Sequence, residues 1–290
     1  MRGLKGIVCF GVLMAVAAPG RLWAELPKAE QICINKINND GIKVQAAQLK
    51  VSDGCVSDAV KTQLNPGPTA DACIDADPKG QVAKKRASTT SDITKKCATT
   101  PSIFFTGDTI TNDAAEDGSK GLLRDVFGPT LAALKSCDTN AAECACQVKV
   151  SNRVSKMVRA MGKIWLQCKK DALTAGGAFA PTGATTNPQL EQCLTNAALT
   201  GGLSVAADTK GKIASAAGQL QDTASQFCGA GSVDEFAGGQ CAGFSTPPTI
   251  DAAGLTTCLR NQAECRFCEM INETDALNVD CDAWVGITCP

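Results

Sequence analysis

The chain has 290 residues, none of them histidine or tyrosine, and its aromatic side chains are three Trp and nine Phe. Without an imidazole there is no Ser-His or Cys-His nucleophile pair, no histidine zinc ligand and no CxxCH haem attachment. So few aromatic rings leave little large side-chain volume for a core and few platforms on which a neutral sugar stacks. Charge of neither sign dominates, since 28 basic and 29 acidic residues leave a net of −1. Beyond residue 24 no stretch approaches the roughly 18 uninterrupted apolar residues of a membrane-spanning helix. The scan for GxSxG, GxxxxGK[ST] and a GxGxxG placed after a strand is empty, so no cofactor is implied. A carboxylate pair can hydrolyse glycosides without histidine, but the 29 acids are scattered and single out no pair.

What the chain has in plenty is cysteine, 17 in all. Residues 1–24 carry Arg2 and Lys5, an apolar run from Gly6 to Ala18, a break at Pro19-Gly20 and a small residue at Ala24, the layout of a cleaved secretory signal. Gly6-Ile7-Val8 is a poor lipobox, so Cys9 is expected to leave with the signal. Removing Arg2, Lys5 and Arg21 as well leaves 25 basic and 29 acidic residues, a net of −4, and 16 cysteines. An even cysteine count in an exported chain points to disulfides and to a secreted, periplasmic or cell-surface location.

The cysteine spacing repeats. Cys33 and Cys55 lie 22 apart, as do Cys146 and Cys168; Cys137 and Cys144 lie seven apart, as do Cys258 and Cys265. Ala142-Glu143-Cys144-Ala145-Cys146 answers Ala263-Glu264-Cys265-Arg266-Phe267-Cys268. These correspondences divide the mature chain into a first unit over 25–144, a second over 145–267 and a truncated third repeat or cap over 268–290. The Cys33/Cys55/Cys73/Cys97 spacing and the Cys265 to Cys281 tail resemble uncharacterised cysteine-rich helical repeat proteins exported by environmental bacteria, a group that implies no particular activity.

Helical periodicity converts the spacing into architecture. Cys146, Val150, Val154, Met157, Met161, Ile164 and Cys168 recur at steps of three and four, one apolar helical face. Cys146 and Cys168 share that face but lie about 33 Å apart along it. A disulfide needs Cα atoms within about 7 Å, so each must meet a cysteine on a neighbouring element. In the first unit a turn at Leu64-Asn65-Pro66-Gly67-Pro68 leads through Cys73 to Asp77-Pro78, read as an N-cap and first position of a helix that ends near Cys97. Two helices of similar length joined by a loop pack antiparallel, which predicts nested staples: Cys55 with Cys73 and Cys33 with Cys97, then Cys168 with Cys193 and Cys146 with Cys228. Cys137–Cys144 and Cys258–Cys265 are expected as local loops, with Cys268–Cys281 and Cys241–Cys289 completing the set. Third helices are expected near Leu122 to Ser136 and near Ala252 to Leu259. The fold class is therefore all-α: tandem disulfide-stapled antiparallel helical hairpins with a short C-terminal cap. Staples of about 2 to 4 kcal/mol each offset the thin supply of large core side chains.

Four features invite functional readings. Cys144/Cys146 and Cys265/Cys268 are close enough to form redox pairs or metal sites, although no βαβ pattern surrounds the CxxC, and junctions between units explain them as well. The stretch from Gln147 to Lys170 holds no acid, and Lys149, Arg153, Lys156, Arg159, Lys163 and Lys170 fall within an arc of about 120° beside Met157, Met161 and Trp165. Lys169 falls outside it. Such a face suits an anionic surface or acidic glycan, or else pairs with Asp108, Asp113, Glu116 and Asp117. The net of −4 argues against a general nucleic-acid binder. Asp75-Ala76-Asp77-Pro78-Lys79-Gly80 opens like an EF-hand loop but places Lys79 and Arg86 where oxygen ligands are required, so calcium is rejected. Asn272-Glu273-Thr274 is a glycosylation sequon. The expected function is a non-enzymatic exported scaffold or binding module with a protein or glycan partner at the cell exterior. A thiol-redox or metal-handling protein and a histidine-free hydrolase are the alternatives.

Overall fold

The computed structural model describes residues 25–64, 69–132, 134–175, 183–195, 208, 210–229, 234–245 and 249–290. The expected signal, with Cys9, lies outside them, as do residues 65–68 of the first turn and 176–182 of the second connection. The described residues form α-helices joined by turns, with no strand among them. The helices are α1 (Lys28–Val60), α2 (Ala70–Ala76), α3 (Gln81–Lys96), α4 (Asp108–Phe127), α5 (Ala141–Leu173), α6 (Asn187–Thr195), α7 (Lys212–Phe227), α8 (Ala252–Asp275) and α9 (Cys281–Val285). Their order repeats a pattern: a 33-residue helix, a short one, a 16-residue one and one of 20 or 24 residues.

The long helices α1 and α5 each run about 50 Å. α3 lies along α1 and α7 along α5, and both pairs are antiparallel, because Cys33 near the start of α1 is bonded to Cys97 just past the end of α3 and Cys146 to Cys228 likewise. Cys55–Cys73 and Cys168–Cys193 tie α2 and α6 to the far ends of α1 and α5. α4 packs on α1, α8 on α5 and α7, and the two halves meet where α1 lies on α5 and α4 on α8. Each half thus meets the other through corresponding elements, the pattern of a closed two-fold pair rather than of an open array.

Both 16-residue helices start with the same device. Asp77 takes a left-handed conformation (φ 42°) and its carboxylate accepts the backbone N–H groups of Gln81, Val82 and Ala83, with Gly80 at φ 58° between them. The Asp208 carboxylate likewise accepts the backbone N–H groups of Lys212 and Ile213, with Gly211 at φ 61°. The helix therefore begins at Gln81, three residues after the expected Pro78: Asp77 does cap it, but across a tight turn that only glycine closes without strain. The Asp-x-Lys-Gly sequence at 77–80 and 208–211, which begins like a calcium loop in the first copy, is a helix start.

The third helices also differ from expectation. α4 runs from Asp108 to Phe127 and gives way to turns before Ser136, whereas α8 continues sixteen residues past Leu259, to Asp275. α8 passes unbroken through Cys258, Cys265 and Cys268, so the boundary drawn at 267/268 falls inside a helix, as that at 144/145 falls inside α5. This overturns two expected bridges. Cys258 and Cys265, seven residues apart on one helix, are separated by about 10 Å and cannot pair. Cys258 bonds instead to Cys241 in the preceding turn, and Cys265 to Cys289, so the expected Cys241–Cys289 bond is absent too. Cys137, by contrast, precedes the Asn140 cap of α5 and reaches Cys144 in its first turn, with Cα atoms 5.0 Å apart. Cys268–Cys281 fastens α9 to α8.

The core is aliphatic and sulfur-rich, with Trp165, Phe104, Phe127, Phe236 and Phe267 as its large side chains. Phe127 at the end of α4 stacks on Phe236 of the turn before α8, ring centres 5.7 Å apart. Three polar clusters cross between the halves. Asp53 of α1 accepts Ser151 Oγ (2.7 Å), Ser155 Oγ (2.9 Å) and Arg159 Nη2 (3.1 Å) of α5. Arg266 of α8 grips both oxygens of Asp125 on α4, at 2.7 and 2.9 Å. Asp275 Oδ1 at the end of α8 receives both Lys169 Nζ of α5 and Asn38 Nδ2 of α1, and Lys169 and Asp275 have no solvent exposure.

Candidate functional site: a lysine-lined groove between the long helices

α1 and α5 are in close contact at Gly162, where an added Cβ would lie 2.9 Å from Ile42 Cδ1 and 3.3 Å from Gln45 Oε1. Asp53 meets Ser151 to Arg159 on one side of that crossing, so the two helices run antiparallel. On the other side they enclose a groove of about 510 Å³. α1 contributes Lys28, Ile32, Asn35, Lys36 and Asn39, spaced at three, four and seven along one stripe. α5 answers with Lys163, Leu166, Gln167 and Lys170 at the same spacing, and Lys96 enters from the end of α3.

Lys96 is there because its neighbour Cys97 is bonded to Cys33, next to Ile32. The end of the groove is tied by Glu25, which accepts Gln31 Nε2 (2.9 Å) and the Ala175 N–H (3.1 Å). The Ala175 amide, then Gln31, with help from the Lys28 charge, hold the Glu25 carboxyl below the usual range.

The lining carries five lysines and no carboxylate. Lys36 is engaged from behind by Asp40 and Asp92; partial burial opposes its charge, but those two carboxylates outweigh it and raise its pKa. Lys96, Lys163 and Lys170 are exposed and form no ion pair with a described residue. Asn35 and Asn39 line the same space, and Ile32, 46% exposed, is one of two large apolar side chains left open to solvent among the described residues.

The structure distributes the six-residue basic face of α5 rather than presenting it whole. Lys149 lies over the Phe227 ring at 5.5 Å, and Arg153 bonds Thr223 and Gln219 of α7. Arg159 is committed to Asp53, toward which the Lys156 charge is also directed. Only Lys163 and Lys170 reach the groove. The acids expected as partners lie elsewhere: Asp113 and Glu116 hold Arg86 at 2.6 and 2.7 Å, and Asp108 accepts Thr90. Lys28, Lys36 and Lys96 were not singled out in the sequence, although the Cys33–Cys97 staple, once accepted, sets Lys96 beside α1.

The close cysteine pairs are not bonded within themselves. Cys144 is joined to Cys137, Cys146 to Cys228, Cys265 to Cys289 and Cys268 to Cys281. All four sulfurs are thus engaged in bridges to other elements, and neither 144/146 nor 265/268 is itself a bonded couple. The carboxyl groups that burial pushes above the usual range are Asp53 and Glu269; they belong to different helix interfaces, each faces an arginine, and neither lines the groove.

Among the described residues no helix is long and apolar enough to cross a membrane. Compared with protein-family models, with curated proteins and with solved structures, the chain matches none.

Proposed function

We propose that the chain is an exported, non-enzymatic binding module that holds an anionic ligand in the groove between α1 and α5. The observation that carries this reading is the set of exposed lysines, Lys96, Lys163 and Lys170, gathered from two helices around one concavity with no acid in its lining. Uncompensated like charges repel, and an anion seated among them relieves that repulsion. Eight disulfides support an oxidising destination, in keeping with the secretory pattern of residues 1–24. Cys33–Cys97 sets Lys96 beside α1, and packing of α1 on α5 with the Asp53 cluster holds the two walls together, so the groove is formed before a ligand arrives and the ordering cost of binding is low.

Chromatography of the oxidised mature protein on immobilised heparin tests the reading. Retention at physiological salt is expected, with loss of retention in a Lys96→Glu/Lys163→Glu/Lys170→Glu variant. A Lys84→Glu/Lys85→Glu control on α3, outside the groove lining, is expected to elute with the parent. Flow-through of the parent protein at that salt ends the proposal.

A further inference from the structure

Resting on the reading of the groove as a binding site, we propose that its ligand is an acidic oligosaccharide, a short run of sugar rings bearing carboxylate or sulfate groups. Three features of the lining select this class.

The first is the cation. All the positive charge is lysine, a compact point charge that attracts carboxylate, sulfate and phosphate alike, so the cations call for an anion and the other two features choose among anions. The second is the amide set. Asn35 and Asn39 stand one turn apart on α1, and each offers a donor pair and an acceptor, the complement of neighbouring sugar hydroxyls, which both donate and accept. Gln167, also in the lining, donates its amide Nε2 to both oxygens of Asp171, at 3.0 and 3.1 Å. The third is the absence of rings. Ile32 and Leu166 supply aliphatic surface for C–H faces, but no aromatic side chain lines the groove, so neither nucleobase stacking nor a neutral-sugar platform is provided. Charge must therefore supply the affinity that stacking supplies elsewhere.

Dimensions agree. A volume of about 510 Å³ lies in the usual range for small-molecule sites. Lys163 and Lys170, seven residues apart on α5, are about 10 Å from one another along the helix, a span that two linked pyranose rings cover. The rest of the mature surface is net acidic, so a long polyanion is favoured only where it threads this groove.

Isothermal titration calorimetry on the oxidised mature protein tests the class with four probes: tetragalacturonate, a heparin-derived tetrasaccharide, neutral maltotetraose and inorganic tripolyphosphate. At least one acidic tetrasaccharide is expected to bind about tenfold more tightly than maltotetraose and than tripolyphosphate. An Asn35→Ala/Asn39→Ala variant is expected to lose about tenfold toward that sugar while its response to tripolyphosphate stays unchanged. Preference between the two acidic sugars tells carboxylate from sulfate. Far-UV circular dichroism and a thiol count matching the parent protein show that the variant is folded and fully oxidised. Tripolyphosphate binding as tightly as the sugars, maltotetraose binding equally well, or indifference to the asparagine substitutions overturns the oligosaccharide and leaves the anion site standing. Silence of all four probes overturns the site itself.

Discussion

Lys169 sits with no exposure against Asp275, with Asn38 on the same carboxylate oxygen, and so joins three helices at one point. Burial lowers the Lys169 pKa, against the pull of Asp275, which favours its charge. Removing one partner strands the other charge in the core, so Lys169→Met and Asp275→Leu alone are each expected to cost about 3 to 5 kcal/mol. The double variant is expected to recover much of that loss, because no charge is then left unpaired. Urea unfolding with the disulfides intact measures all three. Asp53 gives a pH signature. Burial raises its pKa, although Ser151, Ser155, Arg159 and the Lys156 charge pull the other way. Between the ordinary aspartate value and the raised one, the folded chain keeps a proton that the unfolded chain has released. Stability therefore falls as pH rises through that window and levels off above it. Asp53→Asn is expected to flatten that fall, seen as a smaller change in urea midpoint between the two ends of the window. The position of Lys169 was legible in part: it alone of the lysines from Lys149 to Lys170 falls off the basic arc, toward the apolar stripe. Its partners were not, because Asp275 and Asn38 are brought to it by packing across 106 and 131 residues of chain.

At the scale of single elements, the Asp77/Gly80 and Asp208/Gly211 starts explain why two helices of equal length follow such different connections. Asp77→Ala leaves three backbone N–H groups without their acceptor and is expected to cost about 1 to 2 kcal/mol by urea unfolding. The nested staples were readable because helix length fixes reach: two cysteines 22 residues apart on one face need partners at the two ends of a second helix of similar length. The bridges of α8 were misread for the converse reason. A spacing of seven closes a bridge at Cys137–Cys144, where the chain turns before a cap, and forbids one at Cys258–Cys265, where it is helical. Leu255, Leu259, Phe267 and Ile271, all buried, carry the helical period straight through those cysteines. The groove was half legible, since α5 declares its lysines while the α1 stripe is diluted by residues buried against five neighbouring helices.

At the scale of the molecule, among the described residues no disulfide joins the portion up to Phe127 to the portion from Cys137 onward. The halves are held by packing of α1 on α5 and α4 on α8 and by the Asp53, Asp125 and Asp275 clusters. A protease site placed between Gly128 and Ser136 is thus expected to yield two fragments that co-elute in gel filtration yet separate on a denaturing gel without reductant. Fragments that stay joined on that gel would contradict the pairing.

On the proposed reading of an exported chain, the same partition governs the order in which its bridges close. By the time Cys97 has emerged, all four cysteines of the first half have their proper partners within reach, and the next cysteine is forty residues behind. An oxidant acting on the chain in order of emergence can therefore complete the first half before any competing thiol arrives. The later half, with twelve cysteines, cannot complete its bridges to Cys265 and Cys268 until Cys281 and Cys289 have followed.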